Sequence, residues 1–198
     1  MSTLPPGVVA VLPTAPTVPV TINGGAACPS WYDIAGLDAS AGFDTPGMDA
    51  AGGAIVALLE AEAEKVGWEN VALMGFSQGG VVTYHTLLTQ GAIPSRMGAA
   101  IVLSGYLPRV DPLDVLDADA MDDADVKKTP IFIGHGTYDA VVGFKWGKAS
   151  KDALVAAKYP VTWQEYDGMG HSFCDQEFVD VKTFLLQNLP ALAAAADA

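Results

Sequence analysis

The sequence predicts an α/β fold, with a mostly parallel sheet covered by helices on both faces. Three observations carry this prediction. Short apolar runs alternate with longer segments of helical periodicity along the chain. The short runs lack the apolar–polar alternation of a half-wet sheet, so they read as strands buried on both sides. The third is Leu73-Met74-Gly75-Phe76-Ser77-Gln78-Gly79-Gly80, an apolar strand that turns through a glycine-flanked serine into a helix-like segment. That turn is expected to be too tight for β-carbons at Gly75 and Gly79, and it would present the Ser77 hydroxyl at the top of the sheet.

The elements follow in order. Val8 to Leu12 is β-branched and bounded by Pro5-Pro6 and Pro13, which predicts a short buried strand. Prolines 13, 16 and 19 forbid helix over Thr14 to Val20 and predict an extended, irregular connection. Asn23-Gly24-Gly25 is a turn, and Pro29 to Asp33 a loop carrying Trp31 and Tyr32. Thr45-Pro46 starts a helix with Thr45 as its cap; Ile55, Leu59, Ala63 and Val66 recur at helical spacing until Gly67 ends it. Val71 to Met74 is the strand before the serine turn, and Ser77 or Gln78 opens a helix that ends near Gly91. Ala99 to Leu103 and Ile131 to Ile133 read as buried strands, Phe144 to Lys158 as a helix, and Val161 to Tyr166 as a strand near the sheet edge. In the last helix Phe178, Val181, Leu185 and Leu189 share one face, with Asp175 and Glu177 in its first turn. Residues 1–190 are expected to form one domain, and the alanine-rich 191–198 a dispensable tail.

Bulk properties narrow the function. A chain of 198 residues with 51% hydrophobic residues can bury a sizeable core in one domain. The net charge of −13 argues against a nucleic-acid partner and against capture by anionic membranes. Cys28 and Cys174 make neither a disulfide framework nor a metal cluster, and read as free thiols in a reducing compartment. No apolar run approaches the roughly 20 residues that span a bilayer, and the opening Met-Ser-Thr-Leu-Pro-Pro-Gly has no signal-peptide pattern. The expectation is a cytoplasmic protein. Seven aspartates between Asp111 and Asp125 lack calcium-loop spacing, and read as a solvated surface excursion.

A serine hydroxyl needs a base to become a nucleophile. Of the three histidines, His85 lies inside the helix after Ser77 and reads as a packed or hydrogen-bonded residue. His135 reads as a support for the turn carrying Asp139. His171 sits on a loop after a strand, at the sheet rim where catalytic groups gather, and Asp139 occupies a similar place one strand earlier. The order Ser77, Asp139, His171 is that of α/β-hydrolases, and the roles are nucleophile, orienting acid, and base. Asp167 is a weaker candidate acid, because the third group must reach the far side of the imidazole. This chemistry requires no metal and no cofactor.

Six motifs together resemble the acyl-protein thioesterase, or lysophospholipase-like carboxylesterase, family: Leu12-Pro13-Thr14-Ala15-Pro16, Pro29-Ser30-Trp31-Tyr32-Asp33, Gly75 to Gly80, Ser104-Gly105-Tyr106-Leu107-Pro108, His135-Gly136-Thr137-Tyr138-Asp139 and Gly168-Met169-Gly170-His171-Ser172. The resemblance runs from about Val8 to Leu189. It implies an α/β-hydrolase fold and hydrolysis of acyl esters or thioesters, carried on small molecules, lipids or acylated proteins. It also assigns Gln78 an oxyanion-hole N–H, and puts Trp31, Tyr106 and Val141 where acyl-channel side chains are expected. Position 106 in this family more often holds tryptophan.

One departure stands beside the match. Family members begin with a central strand ending in a His-Gly-Leu-Gly-Asp type loop, whose N–H completes the oxyanion hole; here nothing precedes the strand at Val8. Losing one such donor costs about 100- to 1,000-fold in rate. Three arrangements would answer the vacancy: Val8 to Leu12 moves into the slot, a second chain supplies the strand as in a homodimer, or the polypeptide is incomplete. The first is preferred. The chemical alternative to an active hydrolase is a silent hydrolase-like protein that binds acyl chains or a protein partner.

Overall fold

A computed structural model describes residues 7–36, 42–89, 93, 96–108 and 129–196. The acidic segment Asp111–Asp125 lies outside them.

Four parallel strands form the central sheet in the order β3 (Ala72–Phe76), β4 (Ala99–Leu103), β5 (Ile131–Gly136), β6 (Val161–Tyr166). The alternation of side chains splits each inner strand between two cores. Ala100, Val102, Ile131 and Ile133 point to one side, where α1 (Thr45–Val66), α2 (Gln78–Thr89) and α3 (Phe144–Ala156) contribute Ile55, Leu59, Val81 and Leu154. Ala99, Ile101, Leu103 and Phe132 point to the other, against Val181, Phe184 and Leu185 of α4 (Asp175–Asn188). Apolar residues on both faces explain why these strands show no polar alternation. No described helix is long and apolar enough to cross a membrane.

Several elements depart from expectation. Thr17–Val20 (β1) and Ala26–Pro29 (β2) form a separate antiparallel ribbon, despite the prolines. Helix α1 is capped by Asp44 rather than Thr45: its Oδ1 accepts from the Gly47 N–H at 3.0 Å, while Oδ2 accepts from the Asp33 N–H at 2.9 Å. Val8–Leu12 is neither a strand nor buried, with Val9 83% and Leu12 86% exposed. No described strand lies beside the outer edge of β3, so the expected filling of that slot is not observed.

The residues after Pro190 are not a loose tail. Pro190–Ala196 forms a helix (α5), the Ala191 N–H donates to Asn70 Oδ1 at 2.8 Å, and Leu192 is buried in the second core. Leu192→Ala is expected to cost about 2 kcal/mol, because a core methyl cluster is removed and a cavity left. Chemical denaturation should show a lower midpoint with an unchanged slope.

Candidate active site

The tightness of the serine turn has a measurable origin. A β-carbon on Gly75 would lie 2.0 Å from the Gly79 carbonyl oxygen, and one on Gly80 would meet Val102 Cγ1 at 2.9 Å. Gly79 itself has open space where a side chain would go. The steric need therefore falls on Gly75 and Gly80, correcting the expectation for Gly79: its backbone is the obstacle, not its missing side chain. Ser77 holds φ at 53°, a left-handed conformation unusual for a residue with a β-carbon. Its N–H donates to the Leu103 carbonyl at 2.9 Å and its carbonyl accepts from Gly80 N–H at 2.9 Å, which fixes the strained residue between sheet and helix.

Ser77 Oγ lies 2.8 Å from His171 Nε2, and His171 Nδ1 lies 2.8 Å from Asp139 Oδ2. The three groups sit on three different loops at the carboxyl ends of β3, β5 and β6, and the sequence separation of serine and histidine is 94 residues. Asp139 is buried, and its Oδ1 accepts from the N–H groups of Val141 and Val142, each at 2.9 Å. His135 donates from Nε2 to the Val142 carbonyl at 2.8 Å, with the same nitrogen 3.5 Å from Asp139 Oδ2. Burial holds the His135 imidazole below its usual pKa range, in keeping with a neutral ring that braces the loop.

The loops bearing the acid and the histidine are tied to each other. Tyr138 N–H donates to the Met169 carbonyl at 3.0 Å, and Thr137 Oγ1 donates to Asp167 Oδ1 at 3.1 Å. Asp167 is thus spent on Thr137. His85, on the far side of α2, pairs its Nε2 with Asp49 Oδ1 at 2.8 Å.

Gln78 opens α2, where first-turn N–H groups lack intrahelical partners. Its side chain does something the sequence did not announce. Nε2 donates to Ser30 Oγ (2.8 Å) and the Tyr32 carbonyl (2.9 Å), while Oε1 accepts from the Trp31 N–H (3.0 Å). This clamps the loop holding Trp31 against the serine turn. Tyr106 hydrogen-bonds with Tyr32 and packs 6.4 Å from Phe43, and burial raises both tyrosine hydroxyls above their usual range. Val141 contributes its N–H to Asp139, and its side chain is 47% exposed. On the opposite side Phe76 lies against His171, ring centroids 4.9 Å apart, and Phe173 and Phe178 continue that aromatic run.

The sequence model of the phospholipase/carboxylesterase family matches residues 4–189. The chain belongs to that family. Among this member's relatives, acyl-protein thioesterase 1 of Cryptococcus neoformans is 35% identical, covering 93% of the chain and 81% of the relative. The crystal structure of Arabidopsis thaliana SOBER1 superposes with a TM-score of 0.80 at 31% identity, over 90% of this chain and 83% of that one. Zea mays acyl-protein thioesterase 2 gives 0.77 at 30% identity, over 89% and 80%. The family member is accordingly an α/β-hydrolase of the ester- and thioester-cleaving class.

Helix α4 carries a further buried ionisable group. Glu177 is 1% exposed, and both its carboxylate oxygens lack a partner among the described residues. Burial, reinforced by the Asp180 carboxylate, pushes its pKa from 4.5 up to about 7. The folded chain therefore holds this proton more tightly than the unfolded chain. The benefit is complete below about pH 4.5 and is lost as pH rises through about 7, at most about 3 kcal/mol for this size of shift. Glu177→Gln should flatten the fall in stability between about pH 4.5 and 7, the interval the two pKa values bracket, in denaturation curves across that range.

Proposed function

We propose that this enzyme hydrolyses acyl esters or thioesters through an acyl-serine intermediate, with Ser77 as nucleophile, His171 as general base and acid, and Asp139 as orienting acid. The observation that carries the reading is the unbroken hydrogen-bond chain from Ser77 Oγ through both nitrogens of His171 to Asp139. Asp139 fixes the tautomer with a proton on Nδ1, which leaves Nε2 free to accept the serine proton as Oγ attacks the carbonyl carbon. The leaving alcohol or thiol takes that proton back as the carbon–oxygen or carbon–sulfur bond breaks. Water then attacks the acyl-serine, giving a proton to His171 and releasing the carboxylic acid, while the proton returns to Oγ. The Gln78 N–H stabilises the oxyanion in both halves.

Trp31, held by Gln78, together with Tyr106 and Val141, is proposed to meet the acyl chain. The names of the thioesterase relatives make an acylated protein the favoured natural substrate class. Turnover of p-nitrophenyl acetate, octanoate and palmitate, alongside a palmitoyl thioester, tests the reading. Saturable hydrolysis with a preference for the longer chains supports it, and rates no faster than buffer on folded protein contradict it. The edge of β3, unpaired among the described residues, favours a second reading, a chain that binds acyl groups without turning them over; binding of a palmitoyl ligand without hydrolysis would select it.

A further inference from the structure

Three rungs fasten α4 and the loop before it to β5. Phe132, Gly134 and Gly136 point to the same face of that strand, by its two-residue period. Phe132 meets Phe184 of α4, ring centroids 5.4 Å apart. A β-carbon on Gly134 would lie 2.5 Å from Glu177 Oε1. A β-carbon on Gly136 would collide with the Met169 carbonyl oxygen and come 2.8 Å from that of Gly170. Glu177, Val181 and Phe184 recur at helical spacing on the buried side of α4, so an acid occupies the first place of an apolar stripe. His171 follows Gly170 directly, and α4 begins four residues beyond it.

The middle rung suits a carboxyl without charge. Glu177 is buried, and neither oxygen has a partner among the described residues. Leu103 Cδ2 and Tyr166 Cε2 border the same spot over Gly134, each at 3.1 Å. The titratable groups nearby bring no positive charge. Tyr166 of β6 donates its hydroxyl to Asp180 Oδ2 at 3.0 Å, and Asp180 stands one turn on along α4. Cys174, just before the helix, lies with Glu177 and Asp180 around that tyrosine. From β4 comes Leu103, while His135 of β5 points to the opposite face, against Gly147 of α3. A carboxylate left unpaired in such a place is strongly disfavoured.

We propose that Glu177 is a positioning residue for His171: seated as a neutral carboxyl on Gly134, it holds the first turn of α4 and the loop before it in register with β5. Ionisation breaks this rung. The charge draws Glu177 towards water, the first turn lifts, and the imidazole loses its place between Ser77 and Asp139. Burial, with Asp180 adding to it, raises the Glu177 pKa to about 7. The rung is therefore closed at lower pH and opens as pH rises through that value. The effect on turnover rests on the hydrolase reading above; the seating itself does not.

Turnover of p-nitrophenyl octanoate and amide exchange test the two parts separately. Glu177→Gln keeps the shape of the carboxyl and cannot ionise. The ratio of kcat at about pH 8.5 to kcat at about pH 7 should be roughly tenfold lower in the wild type than in this variant, with KM little changed. The Phe178 amide, which donates to the Cys174 carbonyl at 3.2 Å, reads the first turn of α4. At about pH 8.5 it should exchange roughly tenfold faster in the wild type, with the Ile101 amide of β4 still much slower. Gly134→Ala supplies the converse, because its methyl displaces the carboxyl without changing any charge: kcat should fall roughly tenfold already at about pH 6. Equal kcat ratios, equal Phe178 exchange, Ile101 exchanging as fast as Phe178, or wild-type kcat in Gly134→Ala each overturn the proposal. Absence of turnover at every pH would remove the hydrolase reading alone, and the exchange comparison would then decide the seating.

Discussion

Ser77→Ala should lower ester turnover by about a million-fold, the scale seen when the nucleophile of a serine triad is deleted. The geometry gives the reason. Ser77 places its oxygen 2.8 Å from His171 Nε2, and its φ of 53° aims that hydroxyl out of the turn between β3 and α2. Alanine keeps the β-carbon and fits the same turn, so the fold should survive with an unchanged melting temperature. Comparing initial rates of p-nitrophenyl octanoate hydrolysis for the two proteins checks this. A loss below about a hundredfold would mean that another group carries the attack.

Asp139→Asn should cost about 10,000-fold in kcat, and the direction follows from hydrogen-bond counting rather than charge alone. The Val141 and Val142 N–H groups both need an acceptor, and Asp139 Oδ1 now serves both. In the asparagine variant the side-chain oxygen must stay there, which turns the NH₂ group towards His171 Nδ1. That nitrogen must then accept, so the proton moves to Nε2, the atom that has to take the proton of Ser77. Steady-state kinetics should show the loss in kcat with little change in KM. A variant retaining a tenth or more of wild-type kcat would show that tautomer control lies elsewhere.

That Ser77, Asp139 and His171 come together was legible in the sequence because the signals are local. Glycines around Ser77, a strand before it and a helix after it, and an acid and histidine each following a later strand, are all features of short stretches. What holds the site together was not legible, since it depends on contacts between distant segments. Gln78 reaching Ser30, Trp31 and Tyr32, and Thr137 reaching Asp167, leave no spacing signature.

The fold divides in the same manner. Ala99–Leu103 and Val161–Tyr166 emerged with the expected bounds, because their patterns match what a parallel sheet buries. Val8–Leu12 has an equally apolar pattern but no strand partner among the described residues, and a strand is a property of a pair. The pairing of β1 with β2 was missed because prolines mark an extended chain without naming its partner, and a two-stranded ribbon has outward-facing positions where no N–H is needed. In α4, Glu177 and Phe178 both stand one turn before Val181. Hydrophobicity favoured Phe178 for the core, yet it is 39% exposed and packs edge-on against Phe173, while Glu177 is inside.

The central claim is that one serine, one imidazole and one carboxylate act as a unit at the carboxyl rim of this sheet. Labelling with a fluorophosphonate, read by mass spectrometry of the intact and digested protein, tests it most directly. The expected result is a single adduct on Ser77, formed rapidly by the wild type and suppressed in folded His171→Ala. No adduct on folded wild-type protein, or an equally fast adduct without His171, would contradict it.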